Sequence, residues 1–210
     1  MMYLLMNLSL RIGNLIHGAV LKQEKEPPIV TSSMEEGEKE IILLSQKDPA
    51  AFKPLYEKYF RRILVFVLRR VNDKELATDI TQQVFLKVLT NIGKFQFRGL
   101  PFSSWLYRIA VNECNDNFRK MKRVRWVTLE RENIGYLYEE LTADTTMEDW
   151  EKKIPGILQQ LKPNELLLIE LRFFEGKPFR EIAEILNVSE VNVKTKTYRT
   201  LQKMKKLFLT

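Results

Sequence analysis

The stretch "PFREIAEILNVSEVNVKTKTYRTLQKMKK", Pro178 to Lys206, decides how the chain is read. It contains two helices separated by "NVS", Asn187 to Ser189. Asn187 can adopt the left-handed turn conformation and Ser189 can cap the next helix. Glu190 then sits in the first turn, where the helix dipole favours a negative charge. A short helix, a tight turn and a longer basic helix make a helix-turn-helix. On the second helix Val193, Leu201 and Met204 point inward. Asn192, Thr195, Lys196, Arg199 and Lys203 share the opposite face, where they can meet phosphates and base edges in a major groove. A merely solvated basic face is the alternative, and the turn chemistry favours DNA.

Upstream of this motif, "KPNELLLIELRFFEGK" predicts a helix that starts with Pro163 and stops at Gly176. Further upstream, "ERENIGYLYEELTADTTMEDWE" is acidic and its rhythm is broken by Gly135 and a Thr/Asp run. It reads as a linker with one short helix at most. Before the linker the helical signal is strong. Asp48 can N-cap with Pro49 in first position, and Phe52 to Val71 keep apolar residues at i, i+3 and i+4 for about six turns. Asn72 and Glu75 suit a capping box for a second helix that runs to Gly93. "GKFQFRGLP" is a loop with two phenylalanines, and another helix begins after Pro101.

That last helix carries two stripes. Phe102, Trp105, Leu106, Ile109 and Ala110 make an apolar one, while Arg108, Asn112, Asn115 and Arg119 make a wholly polar one. It ends in "RKMKRVR", Arg119 to Arg125, five basic residues in seven. From Val191 to Thr210 there are six basic residues and no acidic one. With a net charge of +7 over 210 residues, these two clusters look like a nucleic-acid footprint rather than a general surplus.

Composition removes several function classes. A single cysteine, Cys114, cannot form an internal disulfide, and a single histidine, His17, leaves no zinc site of the usual Cys/His kind and little basis for a nucleophile pair. There is no GxGxxG and no GxxxxGK[ST]. Asp73, Glu75 and Asp79 are the nearest candidates for a metal-dependent nuclease site, but only Glu75 and Asp79 share a helical face. The first thirty residues lack a basic n-region, and Arg11 interrupts their apolar run, which fits neither a secretory signal nor stable membrane insertion. The preferred reading takes Met34 as the native start, with the part before it a mistaken extension or a disordered tail, and an amphipathic surface helix is the alternative.

The expected fold is all-α: two small helical domains joined by a linker. The expected boundaries are an extension at 1–34, a first domain at 35–125, a linker at 126–150 and a helix-turn-helix domain at 151–210.

"ATDITQQVFLKV", then "FRG" and "FSSWLYRIAVNECNDNFRK", resemble the promoter-melting domain of bacterial sigma factors of the extracytoplasmic-function type. "LKPNELLLIELRFFEGKPFREIAEILNVSEVNVKTKTYRTLQKM" resembles the domain with which they read the upstream promoter element. The resemblance covers roughly Asp48 to Leu207. It implies a non-enzymatic specificity subunit without cofactor or metal, with core RNA polymerase and promoter DNA as partners and the cytoplasm as its place of work. An anti-sigma factor is left open. It also implies that Asp79, Gln82, Gln83 and Phe85 meet polymerase. Phe95, Phe97, Arg98, Trp105, Arg108, Asn112, Asn115, Arg119, Lys120, Lys122 and Arg123 would hold the melted −10 strand. There the aromatics serve as stacking platforms, Asn112 as an amide donor and the basic residues as backbone contacts. Ser189, Asn192, Lys194, Thr195, Lys196, Arg199 and Lys203 would contact the upstream element. On sequence alone, Asp79, Gln82 and Gln83 also fit an ordinary polar helix face, and Trp105 a core position.

Some residues depart from the family pattern. "FRGLPF" is one residue shorter than usual and carries Leu100-Pro101, so the base preference of that loop does not follow from the resemblance. Asn187 replaces the commoner glycine, and Thr197 stands in place of leucine. The competing reading is a helix-turn-helix regulator that binds duplex DNA independently of polymerase. Such a regulator would need a sensory or dimerisation module in place of the Phe/Trp/Asn strip.

Overall fold

Cap and turn chemistry sets the helix boundaries. The structure is a computed structural model that describes residues 33–97, 99–121, 137 and 147–209. Expectations for residues 1–32, for Arg98, Lys122 and Arg123, and for most of 122–146 therefore lie outside the described residues, as does the Lys120 side chain. Helix α1 spans Ser33–Lys47 and a 3-10 turn follows at Pro49–Phe52. The Asp48 side chain caps that turn by accepting from the Ala50 N–H at 2.9 Å. Helix α2, Lys53–Val71, ends at Asn72, whose left-handed φ of 51° makes it a C-cap. Asp73, not Asn72, caps α3 (Lys74–Asn91), accepting from the Leu76 N–H at 3.0 Å. The N-cap thus moves by one residue, which puts Leu76 in place of Glu75 at the third helical position: asparagine tolerates the left-handed turn, and the extended aspartate next to it aims its carboxylate at the helix.

Helix α4 is Phe102–Met121. Helix α5, Met147–Gln159, begins inside the stretch read as linker. Helix α6, Pro163–Ile169, passes into a π-helical turn at Glu170–Phe174 and stops at Gly176, φ 63°. Helix α7, Phe179–Leu186, turns at Asn187, φ 53°, into α8, Glu190–Leu209. In that turn the Ser189 hydroxyl accepts from the Asn192 N–H at 3.3 Å, as the sequence predicted. Among the described residues every regular element is helical.

Residues 37–210 form one compact unit. In its first half Phe52, Tyr56 and Phe60 surround Phe85 at ring-centroid distances of 6.4, 4.8 and 5.9 Å. Tyr59 and Phe66 meet Phe102 and Tyr107 of α4 at 5.8 and 5.1 Å. In the second half Ile154, Leu158, Leu166, Ile169, Leu201 and Met204 form a core that also takes in Leu137, fully buried although its neighbours read as linker. Each such side chain withdrawn from water contributes about 1.5–3 kcal/mol, so two strong apolar cores anchor the helices.

Candidate nucleic-acid interface

Helix α4 turns its apolar stripe inward. Phe102, Leu106, Tyr107, Ala110, Val111 and Cys114 are buried, and Trp105 and Ile109 are half-buried. Its polar stripe faces out where expected. Asn112 and Arg119 are exposed, and Asn115 is partly so. Asn112, Asn115, Asp116, Phe118 and Arg119 line an open cleft of about 470 Å³, whose remaining side is Asn164 of α6. An amide donor beside an open cleft can hydrogen-bond the edge of an unstacked base.

The loop before α4 builds an aromatic platform. Phe95 lies 5.0 Å from Phe97, 5.4 Å from Phe102 and 5.1 Å from Trp105, centroid to centroid. Gln46 of α1 fixes the loop by donating to the carbonyls of Ile92 and Phe95 at 3.0 and 2.9 Å. The cluster is layered: Phe102 is core, Phe95 and Trp105 are half-buried, and Phe97 is 39% exposed with Lys39 5.9 Å from its ring. Phe97 is therefore the ring best placed to stack on a base.

On α8, Val193, Leu201 and Met204 are buried as the sequence predicts, and Lys194, Thr195, Lys196 and Arg199 are exposed. Asn192 is half-buried. Lys203 departs from the expectation. Its ammonium pairs with Glu165 at 2.7 Å and donates to the Gln160 carbonyl at 3.2 Å, tying α8 to α6 instead of reaching outward. Partial burial pulls the Glu165 carboxyl up, but the Lys203 contact and the Lys162 N–H outweigh it and hold it below its usual range. Lys194 pairs with Glu190 at 2.7 Å along the helix, and Val191 is 74% exposed beside them.

On α3, Asp79, Gln82 and Gln83 form an exposed polar face. Phe85 does not belong to it. It is 2% exposed and is the centre of the aromatic core, on the face it shares with Thr81, Val84 and Val88 and roughly opposite Gln83.

Arg108 also departs from the strip. Its guanidinium donates to the Glu184 carbonyl of α7 at 2.9 and 2.5 Å and pairs with the Glu184 carboxylate. It is one member of a seam that sequence reasoning did not single out. Arg69 pairs with Glu175 at 2.9 Å, and Arg70 pairs with Glu170, both almost fully buried. Tyr107 donates to Glu175, Ser104 donates to Glu181 at 2.9 Å and Lys177 donates to Ser103 at 2.9 Å. Burial pushes the Glu175 carboxyl up, against the pull of Arg69 and of the Tyr107 hydroxyl, and burial raises the Tyr107 phenol well above its ordinary range. The signal for this seam was Glu170, an acid set inside the apolar run "LLLIEL".

These features define a helical nucleic-acid-binding protein in which a helix-turn-helix accompanies an aromatic and amide strip on a separate helix. Family comparison agrees. Residues 55–124 match Sigma-70 region 2 and residues 152–204 match Sigma-70, region 4. The chain is 31% identical over 138 residues to RNA polymerase sigma factor SigV of Bacillus subtilis, covering 64% of this chain and 77% of that protein. It is 26% identical over 155 residues to ECF RNA polymerase sigma factor SigM of the same organism, covering 73% and 93%. To ECF sigma factor BldN of Streptomyces coelicolor it is 28% identical over 158 residues, which is 75% of this chain but 60% of BldN. The fold is shared with CnrH, solved in complex with the cytosolic domain of CnrY, at a TM-score of 0.55 and 18% identity, covering 80% of this chain and 94% of that one. It is shared equally with the sigma factor RpoE of Bartonella quintana, solved with the anti-sigma factor NepR, at 0.54 and 16%, covering 76% and 97%. The chain belongs to the RNA polymerase sigma factors of the extracytoplasmic-function type.

Proposed function

We propose that this chain is a dissociable subunit that joins core RNA polymerase in the cytoplasm, selects promoters, helps melt them and performs no chemistry of its own. The observation that carries this reading is the pairing, on one chain, of a donor-rich open cleft beside an aromatic platform with a basic recognition helix. A regulator of duplex DNA has no use for the first of these, whereas a melted strand needs stacking surfaces and amide donors. Asp79, Gln82 and Gln83 form the polymerase contact. Phe97, Asn112, Asn115 and Arg119 take the −10 strand, supported by Phe95 and Trp105. Thr195, Lys196 and Arg199 read the upstream duplex, with Arg199 the residue suited to a bidentate guanine contact. A small protein that clasps the two halves, of the anti-sigma kind seen with the solved relatives, is a fitting antagonist.

Asn112→Ala tests the strand assignment. Losing a hydrogen bond to an extruded base costs about 1–3 kcal/mol, so open-complex formation should fall roughly 5- to 150-fold. Binding to core polymerase should be unchanged. Permanganate footprinting on intact promoter and a core-binding titration measure the two separately, and an undiminished footprint overturns the assignment.

A further inference from the structure

Three of the six large apolar side chains that stay exposed among the described residues lie within one run of eleven positions, Val188 to Tyr198. Val188 is 39% exposed, Val191 74% and Tyr198 51%. Apolar residues scattered singly over a surface need no explanation, but this run is the turn and the first half of the recognition helix. Val191 is the second residue of α8, and Thr195 and Tyr198 follow it on one helical face. That face points outward, since Val193, Thr197, Leu201 and Met204 are buried. Tyr198 leans on Phe179, ring centroids 6.0 Å apart, whereas Val191 buries little of itself in the fold.

The turn fixes where Val191 sits. Asn187 takes a φ of 53°, and the Ser189 hydroxyl accepts from the Asn192 N–H at 3.3 Å. Glu190, the acid of that first turn, is paired with Lys194 at 2.7 Å, and positions 191–210 carry six basic residues and no acidic one. The surroundings of Val191 therefore suit a polyanion rather than an apolar groove on a protein. In the major groove of DNA the apolar group on offer is the C5-methyl of thymine. A helix-turn-helix presents the N-terminal residues of its second helix to the base edges there. We propose, resting on the sigma-factor reading, that Val191 reads a thymine methyl in the upstream element, one turn before Thr195 and two before Arg199. A polar side chain in its place would lose hydration against that methyl and gain no partner. Withdrawing one methyl-sized group from water is worth about fourfold in affinity.

The test uses holoenzyme, wild type or Val191→Ala, on a promoter fragment selected from a library because it yields a run-off transcript. Each thymine of the upstream element is replaced in turn by deoxyuridine, which removes the methyl and keeps the base-pairing groups. Wild type should lose about fourfold in promoter affinity at one thymine. Val191→Ala should bind the unmodified fragment about fourfold more weakly and lose nothing further at that thymine, because both changes remove the same contact. Alanine is the better helix former and Val191 packs little, so the variant should melt with wild type and bind core polymerase equally well. The proposal is overturned if every thymine responds equally in the two proteins, whether by a loss or by none. Weaker core binding by Val191→Ala with no difference at any thymine also overturns it and makes the patch a protein-docking surface. If no fragment of the library yields a transcript with wild-type holoenzyme, the sigma-factor reading fails and the proposal with it.

Discussion

Replacing Thr197 by valine should stabilise the protein. Thr197 is 0% exposed on the inner face of α8, one turn after Val193 and one before Leu201, and its hydroxyl has no hydrogen-bond partner. A buried hydroxyl without a partner costs about 1–3 kcal/mol relative to its hydrated state in the unfolded chain. Valine has nearly the same shape and no such group, and both residues are β-branched with similar helix propensity. The net gain should be about 1–2 kcal/mol. For a chain of this size each kcal/mol shifts Tm by about 2–4 °C, so Tm should rise by roughly 2–8 °C. Thr200 is the internal control: it is 3% exposed, but its hydroxyl donates to the Lys196 carbonyl at 2.9 Å, so Thr200→Val should bring no gain. Calorimetry on the three proteins at matched pH and salt reads the difference. A Tm for Thr197→Val at or below wild type would refute the reasoning, and upstream-element affinity should not change because Thr197 faces away from Lys196 and Arg199.

Phe85→Ala should cost about 3–5 kcal/mol in a chemical melt because it empties the aromatic core, while Gln82→Ala should leave the melt unchanged and weaken only core-polymerase binding. Equal effects of the two on stability would contradict that division of α3. Alkaline titration should show a separate effect. Burial raises the phenols of Tyr56, Tyr59 and Tyr107, helped at Tyr59 by Glu38 and at Tyr107 by Glu175. Their folded pKa values exceed the unfolded one, so the stability tied to their neutral forms is complete below about pH 10 and is lost as pH rises above it. Three of the seven tyrosines should therefore ionise, by absorbance at 295 nm, only together with unfolding; gradual ionisation of all seven in the folded state would contradict their burial.

Local chemistry was the most legible part of the sequence. The Asn187–Ser189 turn and the inward face of α8 follow from one cap, one left-handed residue and a helical repeat, all set within a few positions. Asparagine serves both ends of a helix, and only the backbone angle shows that Asn72 closes α2 while Asp73 caps α3. Phe85 was carried into the polymerase face by motif, although helical periodicity alone would have sent it to the core with Val84 and Val88. Helix α1 gives a weak sequence signal, since its apolar residues are few, and Leu43 and Leu44 remain exposed. Lys203 and Arg108 were assigned to DNA because both share a stripe with donors, but their partners, Glu165 and Glu184, come from other helices. Which charge meets which across 38 or 76 residues is set by packing, and no local pattern encodes it.

That this chain directs polymerase and does not act on DNA alone is tested most directly by run-off transcription. Purified chain, core RNA polymerase and a library of promoter fragments should yield discrete transcripts from a subset of fragments only when both proteins are present. The free chain at the same salt should shift none of those fragments tightly, since each half offers one small basic surface and affinity arises when both are held on one scaffold. Tight, sequence-specific binding by the free chain, with no transcript when core is added, would contradict the account.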